Sequence, residues 1–144
     1  MSSKIDAELY IEVKNFYARQ MRVLDDLDIE QFILTFTENG SVAHPHRNEK
    51  TVGHENMRTK MNAMLPGYQG TVTRHWFDHF LLEEHEGDAL RVTYYSLVTQ
   101  SNDKEEVTFF SSSSVEDIMV REGGELRIRD RIIYRDNPAK GRVI

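Results

Sequence analysis

GTVTRHWFDHFLLEEHEGDALRVTYYSLVTQ, residues 70–100, reads as two long β-strands joined by a tight turn. β-Branched and aromatic side chains fill both halves, and Glu86-Gly87-Asp88 between them suits a hairpin. The same pattern continues downstream. Residues 106–121 and 125–136 are two more strand-like runs, set off by Ser101-Asn102-Asp103 and by Glu122-Gly123-Gly124, and residues 40–44 read as a shorter strand. Upstream the period changes. Residues 6–24 place Leu9, Val13, Phe16, Tyr17 and Leu24 on one helical stripe, with Tyr10 and Met21 beside it. Residues 29–36 read as a short second helix with Asp28 as its N-cap. Residues 53–65 read as a third, with Met57, Met61, Met64 and Leu65 on one face and Pro66-Gly67 as its stop. Helices followed by hairpin-linked strands predict an α+β fold with an antiparallel sheet. Strands of this length bend, so the sheet is expected to curl around the helices.

Composition narrows the chemistry. The chain has 144 residues, 24 acidic and 18 basic, a formal charge of −6 and no cysteine. That length fits one domain, 1–144, with a core from about residue 6 to 136 and loosely held ends at 1–4 and 137–144. Such a chain buries roughly two-thirds of its unfolded surface. The acidic balance argues against nucleic acid or an anionic membrane as partner. Absence of cysteine removes disulfides, thiolate nucleophiles, iron–sulfur clusters and cysteine-ligated zinc. No leader-like apolar stretch opens the sequence and no apolar run is long enough to span a bilayer, so a soluble, cytoplasmic protein is expected. The reagents left are carboxylate, imidazole, phenol and hydroxyl.

Side chains alternate along a strand. Thr73, His75, Phe77, His79 and Leu81 therefore share one face, and Arg74, Trp76, Asp78 and Phe80 the other. Two imidazoles among apolar groups suit the wall of a small-molecule pocket, although satisfied core or surface histidines would give the same spacing. In the cluster Asp25-Asp26-Asp28, Asp25 lies one turn after Met21 and two after Tyr17, at the edge of the apolar stripe. A carboxylate there is placed to reach a histidine on the sheet, fix its tautomer and make the other ring nitrogen a general base or acid. Tyr94 and Tyr95 point to opposite faces, one for the core and one for a cavity or a substrate hydrogen bond. His44-Pro45-His46 has metal-ligand character, with His75 or His79 as a possible third ligand, but the proline bend spoils the spacing and no metal is assigned.

The order of these motifs resembles the SnoaL-like proteins of the nuclear-transport-factor-2-like superfamily. The resemblance rests on Val23-Leu24-Asp25-Asp26-Leu27-Asp28, on Phe32 to Phe36, and on Gly40-Ser41-Val42-Ala43-His44-Pro45. Gly53-His54-Glu55-Asn56-Met57, Thr73-Arg74-His75 and the hairpin Gly123-Gly124-Glu125-Leu126-Arg127-Ile128 to Arg131 extend it over nearly the whole chain, with Leu126 where tryptophan is commoner. It implies an NTF2-like (cystatin-like) cone: three N-terminal helices on a strongly curved, mainly antiparallel sheet that encloses a pocket. The superfamily includes polyketide cyclases, ketosteroid isomerases, scytalone dehydratase and small subunits of ring-hydroxylating dioxygenases, so fold alone does not fix function. The Asp–His dyad of scytalone dehydratase is similar in placement to Asp25 and His75. His44 stands where that enzyme carries a pocket tyrosine, Leu24 where it carries another tyrosine, and Val115 where it carries an asparagine.

Two classes of function are thereby expected. The first is a cofactor-independent acid–base enzyme, a dehydratase, isomerase or cyclase of secondary metabolism, acting on a small apolar oxygenated substrate such as a polyketide or terpenoid. Its catalytic residues would be Asp25 and His75 with His44 or Tyr95 as second polar group, and Tyr17, Met61, Phe77, His79 and Tyr95 would line the site. The second is a non-catalytic ligand-binding module or an accessory subunit of a ring-hydroxylating oxygenase. A homodimer through the outer sheet face, with Trp76, Phe80 and Tyr94 contributing, is the expectation the resemblance carries.

Overall fold

The computed structural model describes residues 4–137. Three helices pack on one six-stranded sheet. Helix α1 (Ala7–Asp25) starts where the Asp6 carboxylate accepts the backbone N–H of Leu9 at 2.8 Å, and it buries Val13, Phe16, Tyr17, Gln20 and Met21. Asp28 caps α2 (Ile29–Ile33) in the expected way, accepting the N–H of Gln31. That helix is shorter than its sequence suggests, because the chain turns into β1 (Phe36–His44) at Phe36. A one-turn 3-10 helix at Pro45–Arg47 leads to β2 (Glu49–Val52), a short edge strand that no sequence pattern announced. Helix α3 (His54–Met64) follows, and the 3-10 turn Leu65–Tyr68 containing Pro66 ends it. The long strands are β3 (Val72–Glu84), β4 (Leu90–Ser101), β5 (Val107–Glu122) and β6 (Glu125–Arg135).

The sheet order is β2-β1-β6-β5-β4-β3, antiparallel throughout except for the parallel β1–β6 pair. Register shifts interrupt β1–β6, β3–β4, β4–β5 and β5–β6. Each bends its strand and adds twist, and together they curl the sheet around the helices. The core fills that concave side with Val13, Phe16, Ile33, Phe36, Val92 and Met119. Gly40 sits inside the β1–β6 shift: a Cβ there would lie 3.0 Å from the Thr37 carbonyl oxygen and 3.1 Å from that of Ile128. Only glycine allows the backbone to approach so closely.

The β3 shift corrects the sequence-based face assignment. Asp78 pairs with Tyr95 but Leu81 pairs with Thr93, so one extra residue is accommodated, and His79 adopts φ +64°. Side chains past the bulge exchange faces. Phe80 turns inward and is buried, while Leu81 turns outward and is 65% exposed. Of the expected loose stretch 1–4, residues 1–3 lie outside the described residues, and the exposed Lys4 donates from its backbone N–H to Glu84 Oε1 at 3.1 Å and from Nζ to the Gly87 carbonyl at 3.3 Å. Of the expected loose C-terminal stretch 137–144, all but Asn137 lies outside the described residues. Among the described residues no helix is long and apolar enough to cross a membrane.

Candidate active site

Helix α1 packs against β3 and delivers its last residue, Asp25, to the strand. Asp25 Oδ1 lies 2.6 Å from His75 Nδ1, and the backbone N–H of His75 donates to Asp25 Oδ2 at 3.3 Å. Both carboxylate oxygens thus engage one residue, which holds the pair in place. The Asp25 side chain is 9% exposed and that of His75 21%, so the contact is shielded from bulk water without being sealed. A carboxylate only accepts hydrogen bonds, so in the neutral ring this geometry assigns the proton to Nδ1 and the lone pair to Nε2. Nε2 bonds to no described residue, and His75 stands in the wall of a cavity.

That cavity has a volume of about 330 Å³ and opens between the helices and the concave sheet face. Met21 and Leu24 of α1, Phe32 of α2 and Met57, Met61 and Met64 of α3 belong to its helical wall, and Phe77, Tyr94 and Val115 to its sheet wall. Methionine fills irregular gaps and adapts to varied apolar ligands. Hydroxyl groups of Thr73, Ser96, Ser111 and Ser113 interrupt the apolar lining. Thr73, two residues before His75 on the same strand face, has a buried hydroxyl with no hydrogen-bond partner among the described residues.

A buried polar network supports the cavity from below. Asp117 accepts Arg131 Nε at 2.9 Å on one oxygen, and Arg131 Nη2 at 3.0 Å, the Tyr17 hydroxyl at 2.7 Å and the Tyr94 hydroxyl at 2.8 Å on the other. Arg131 Nη2 also donates to Gln20 Oε1 at 2.7 Å, and Gln20 Nε2 donates to Thr35 Oγ1 at 2.7 Å. The guanidinium carbon lies 5.3 Å from the Phe36 ring centre and 5.7 Å from that of Phe77. Burial pushes both phenols well above their ordinary range, with the Asp117 charge adding to the shift, so they remain donors. Burial alone would lower the Arg131 pKa, but the Asp117 carboxylate outweighs it and keeps the guanidinium charged.

The end of the cavity formed by β1, β2, α3 and β6 is cationic. His44, Arg47, Lys60 and Arg135 line it, and no aspartate or glutamate is among the described lining residues. Glu49 pairs with both Arg47 Nε and Lys60 Nζ. Burial, with Arg47 and Lys60 nearby, pulls the His44 pKa down to about 3, so its imidazole is neutral at physiological pH. Its ring centre lies 5.8 Å from that of His46. Among the described residues no group of three His, Cys, Asp or Glu side chains is placed to hold a metal ion.

Of the residues expected at the site, the structure brings together Asp25 and His75 and places His44, Met61 and Phe77 in the cavity wall. Three others are displaced. Tyr17 is buried behind the wall with its hydroxyl committed to Asp117. His79, turned outward by the bulge, has its ring centre 5.2 Å from that of Tyr95, the planes tilted by 34°. Tyr95 itself is 61% exposed on the outer face, and Tyr94 is the tyrosine of the pair that meets the cavity. Phe80 and Tyr94 are therefore core residues rather than parts of an outer interface. The sequence reading missed the arginines Arg131 and Arg135. Their signal was strict alternation with Ile133 on β6, which puts two cations on an inward face.

Residues 6–132 match the family model of the SnoaL-like domain. No curated protein matches the chain. Among solved structures the chain is similar to Aln2 from a Streptomyces species, at 33% identity and TM-score 0.85 over 93% of this chain and 95% of that one. ActVI-ORFA from Streptomyces coelicolor is 31% identical with TM-score 0.85, the match covering 90% of this chain and 98% of that one. A protein from Catenulispora acidiphila, solved in complex with S-DNPA, is 28% identical with TM-score 0.83 over 94% of this chain and 98% of that one. A three-helix cone on a curled sheet, an Asp–His pair at its cavity and a family match spanning nearly the whole chain agree: the protein belongs to the SnoaL-like domain family.

Proposed function

We propose that the protein is a cytoplasmic, cofactor-independent acid–base enzyme that dehydrates, isomerises or cyclises a small, largely apolar, oxygenated substrate of the polyketide or terpenoid type. One observation carries this reading: the 2.6 Å contact between Asp25 and His75 Nδ1 at the wall of an apolar cavity. In a dehydration, His75 Nε2 takes the proton from a carbon next to a carbonyl. The electron pair forms the C=C bond, hydroxide leaves from the adjacent carbon, and the proton on Nε2 goes to it as water. Asp25 stabilises the imidazolium between the two steps. The Thr73 hydroxyl is placed to donate to the substrate carbonyl. His44, neutral and across the sheet from His75, serves as a hydrogen-bonding group rather than a proton-releasing acid. Met61 and Phe77 contact the carbon skeleton. A relative solved in complex with S-DNPA is in keeping with a ligand-binding cavity in this family.

The test is turnover of a β-hydroxytetralone, which loses water to give a naphthol with a distinct ultraviolet spectrum. His75→Ala and Asp25→Asn are each expected to lower kcat by roughly 10²–10⁴-fold, the usual range for a positioned general base. Unchanged turnover in both variants rejects the dyad.

We also propose a homodimer formed through the outer sheet face. Trp76, Leu81 and Tyr95 there are 59%, 65% and 61% exposed, on adjacent strands.

A further inference from the structure

The cationic end of the cavity has unused hydrogen-bonding capacity. Two buried nitrogens of residues that line it, His44 Nδ1 and Arg135 Nε, have no partner among the described residues, and the same holds for Nδ1 of His46, outside the lining with its ring 5.8 Å from that of His44. Burying such groups without a partner costs free energy, and two of them on residues of one cavity wall mark a place where a ligand supplies the missing partner. Arg47 and Lys60 share the single carboxylate of Glu49, whereas Arg135 takes part in no ion pair among the described residues. Three cations therefore line the cavity, and the carboxylate paired with two of them, Glu49, is not among the lining residues, in a protein whose formal charge is −6. Diffuse surface charge does not explain this; the sign of the site opposes the sign of the chain.

We propose that this end of the cavity is a carboxylate subsite, in which the Arg135 guanidinium, with His44 beside it, holds an acid group of the substrate. Arginine suits the task because its planar fork matches a carboxylate and remains charged at any relevant pH. The proposal rests on reading the cavity as a substrate site and adds the substrate class: a ring system bearing a carboxylic acid side arm. Sheet topology gives the orientation. His75 lies on β3 at one edge of the sheet, whereas Arg135 and His44 lie on β6 and β1 beyond β4 and β5. The acid is thus bound at one end of the substrate and the proton is removed at the other, and the carboxylate fixes which carbon His75 meets.

Calorimetric titration of the full chain with naphthaleneacetate and with naphthaleneacetamide tests this, because the two probes share a shape and differ in charge. The acetate is expected to bind roughly tenfold or more tightly, the gain usual for a hydrogen bond to a charged group. Added salt should weaken the acetate and leave the amide unchanged. Arg135→Gln should bring the two affinities within about twofold, and Arg135→Lys should retain most of the preference. Equal binding of the two probes by the native protein, binding of neither, or a preference that survives Arg135→Gln overturns the subsite. The β-hydroxytetralone carries no acid, so the two readings fail separately. Acetate preference without turnover rejects the dyad alone, and turnover without preference rejects the subsite alone.

Discussion

At the scale of single residues, His44 and His75 show how one side chain type meets two different environments. His75 has a carboxylate on Nδ1 and lines the cavity, its Nε2 bonded to no described residue. His44 is partly buried among Arg47, Lys60, His46 and Arg135, and its pKa drops from the ordinary 6.5 to about 3. This shift has a consequence for stability. Below about 6.5 the unfolded chain takes a proton at His44 that the native protein refuses until about 3. The unfolded state then binds more protons, so native stability falls as pH drops through that window. His44→Gln removes the effect. Urea unfolding across the window should show the native protein losing stability faster than the variant on acidification, and parallel profiles would contradict the burial of a neutral imidazole. Residue by residue, the sequence was legible where a local rule held. Asp25 is the last residue of an amphipathic helix, and His75 and Phe77 keep their phase because they precede the bulge. His79 follows it, and a single residue with positive φ is enough to reverse an alternation.

Elements are joined at their centre by Asp117. It connects α1 through Tyr17, β4 through Tyr94 and β6 through Arg131, while Gln20 extends the network to Thr35 ahead of β1. Polar side chains inside a core scarcely register in a hydrophobic pattern, so neither the network nor the commitment of Tyr17 to it was legible. The helices, the four long strands and their turns were legible because their periods are long and uninterrupted. Strand β2 has only four residues, pairs only with β1 and alternates too briefly to announce itself. Removing Asp117 leaves the Arg131 charge buried without a counter-ion. Asp117→Ala is expected to destabilise the protein by about 3–5 kcal/mol, the cost of breaking a buried ion pair from one side. Chemical denaturation measures it, and a loss below about 1 kcal/mol would mean that water or a rearranged side chain replaces the carboxylate.

Across the whole molecule, the curled sheet separates two surfaces with different chemistry. The concave face holds the dyad, the apolar cavity and its cationic end; the convex face exposes Trp76, Leu81 and Tyr95. If the convex face pairs two copies, light scattering gives a mass about twice 16.8 kDa, and Trp76→Glu shifts it to the monomer. A native mass of one chain rejects the pairing. On the concave face, Asp25 holds His75 by Nδ1, which calls for the proton on Nδ1 and the lone pair on Nε2 in the neutral ring. Nitrogen-15 NMR of the histidine rings, with the His75 signals assigned by their loss in His75→Ala, tests it most directly. A protonated Nδ1 and a bare Nε2 in the neutral ring are the expected result, and a bare Nδ1 with the proton on Nε2 would contradict the Asp25–His75 pairing.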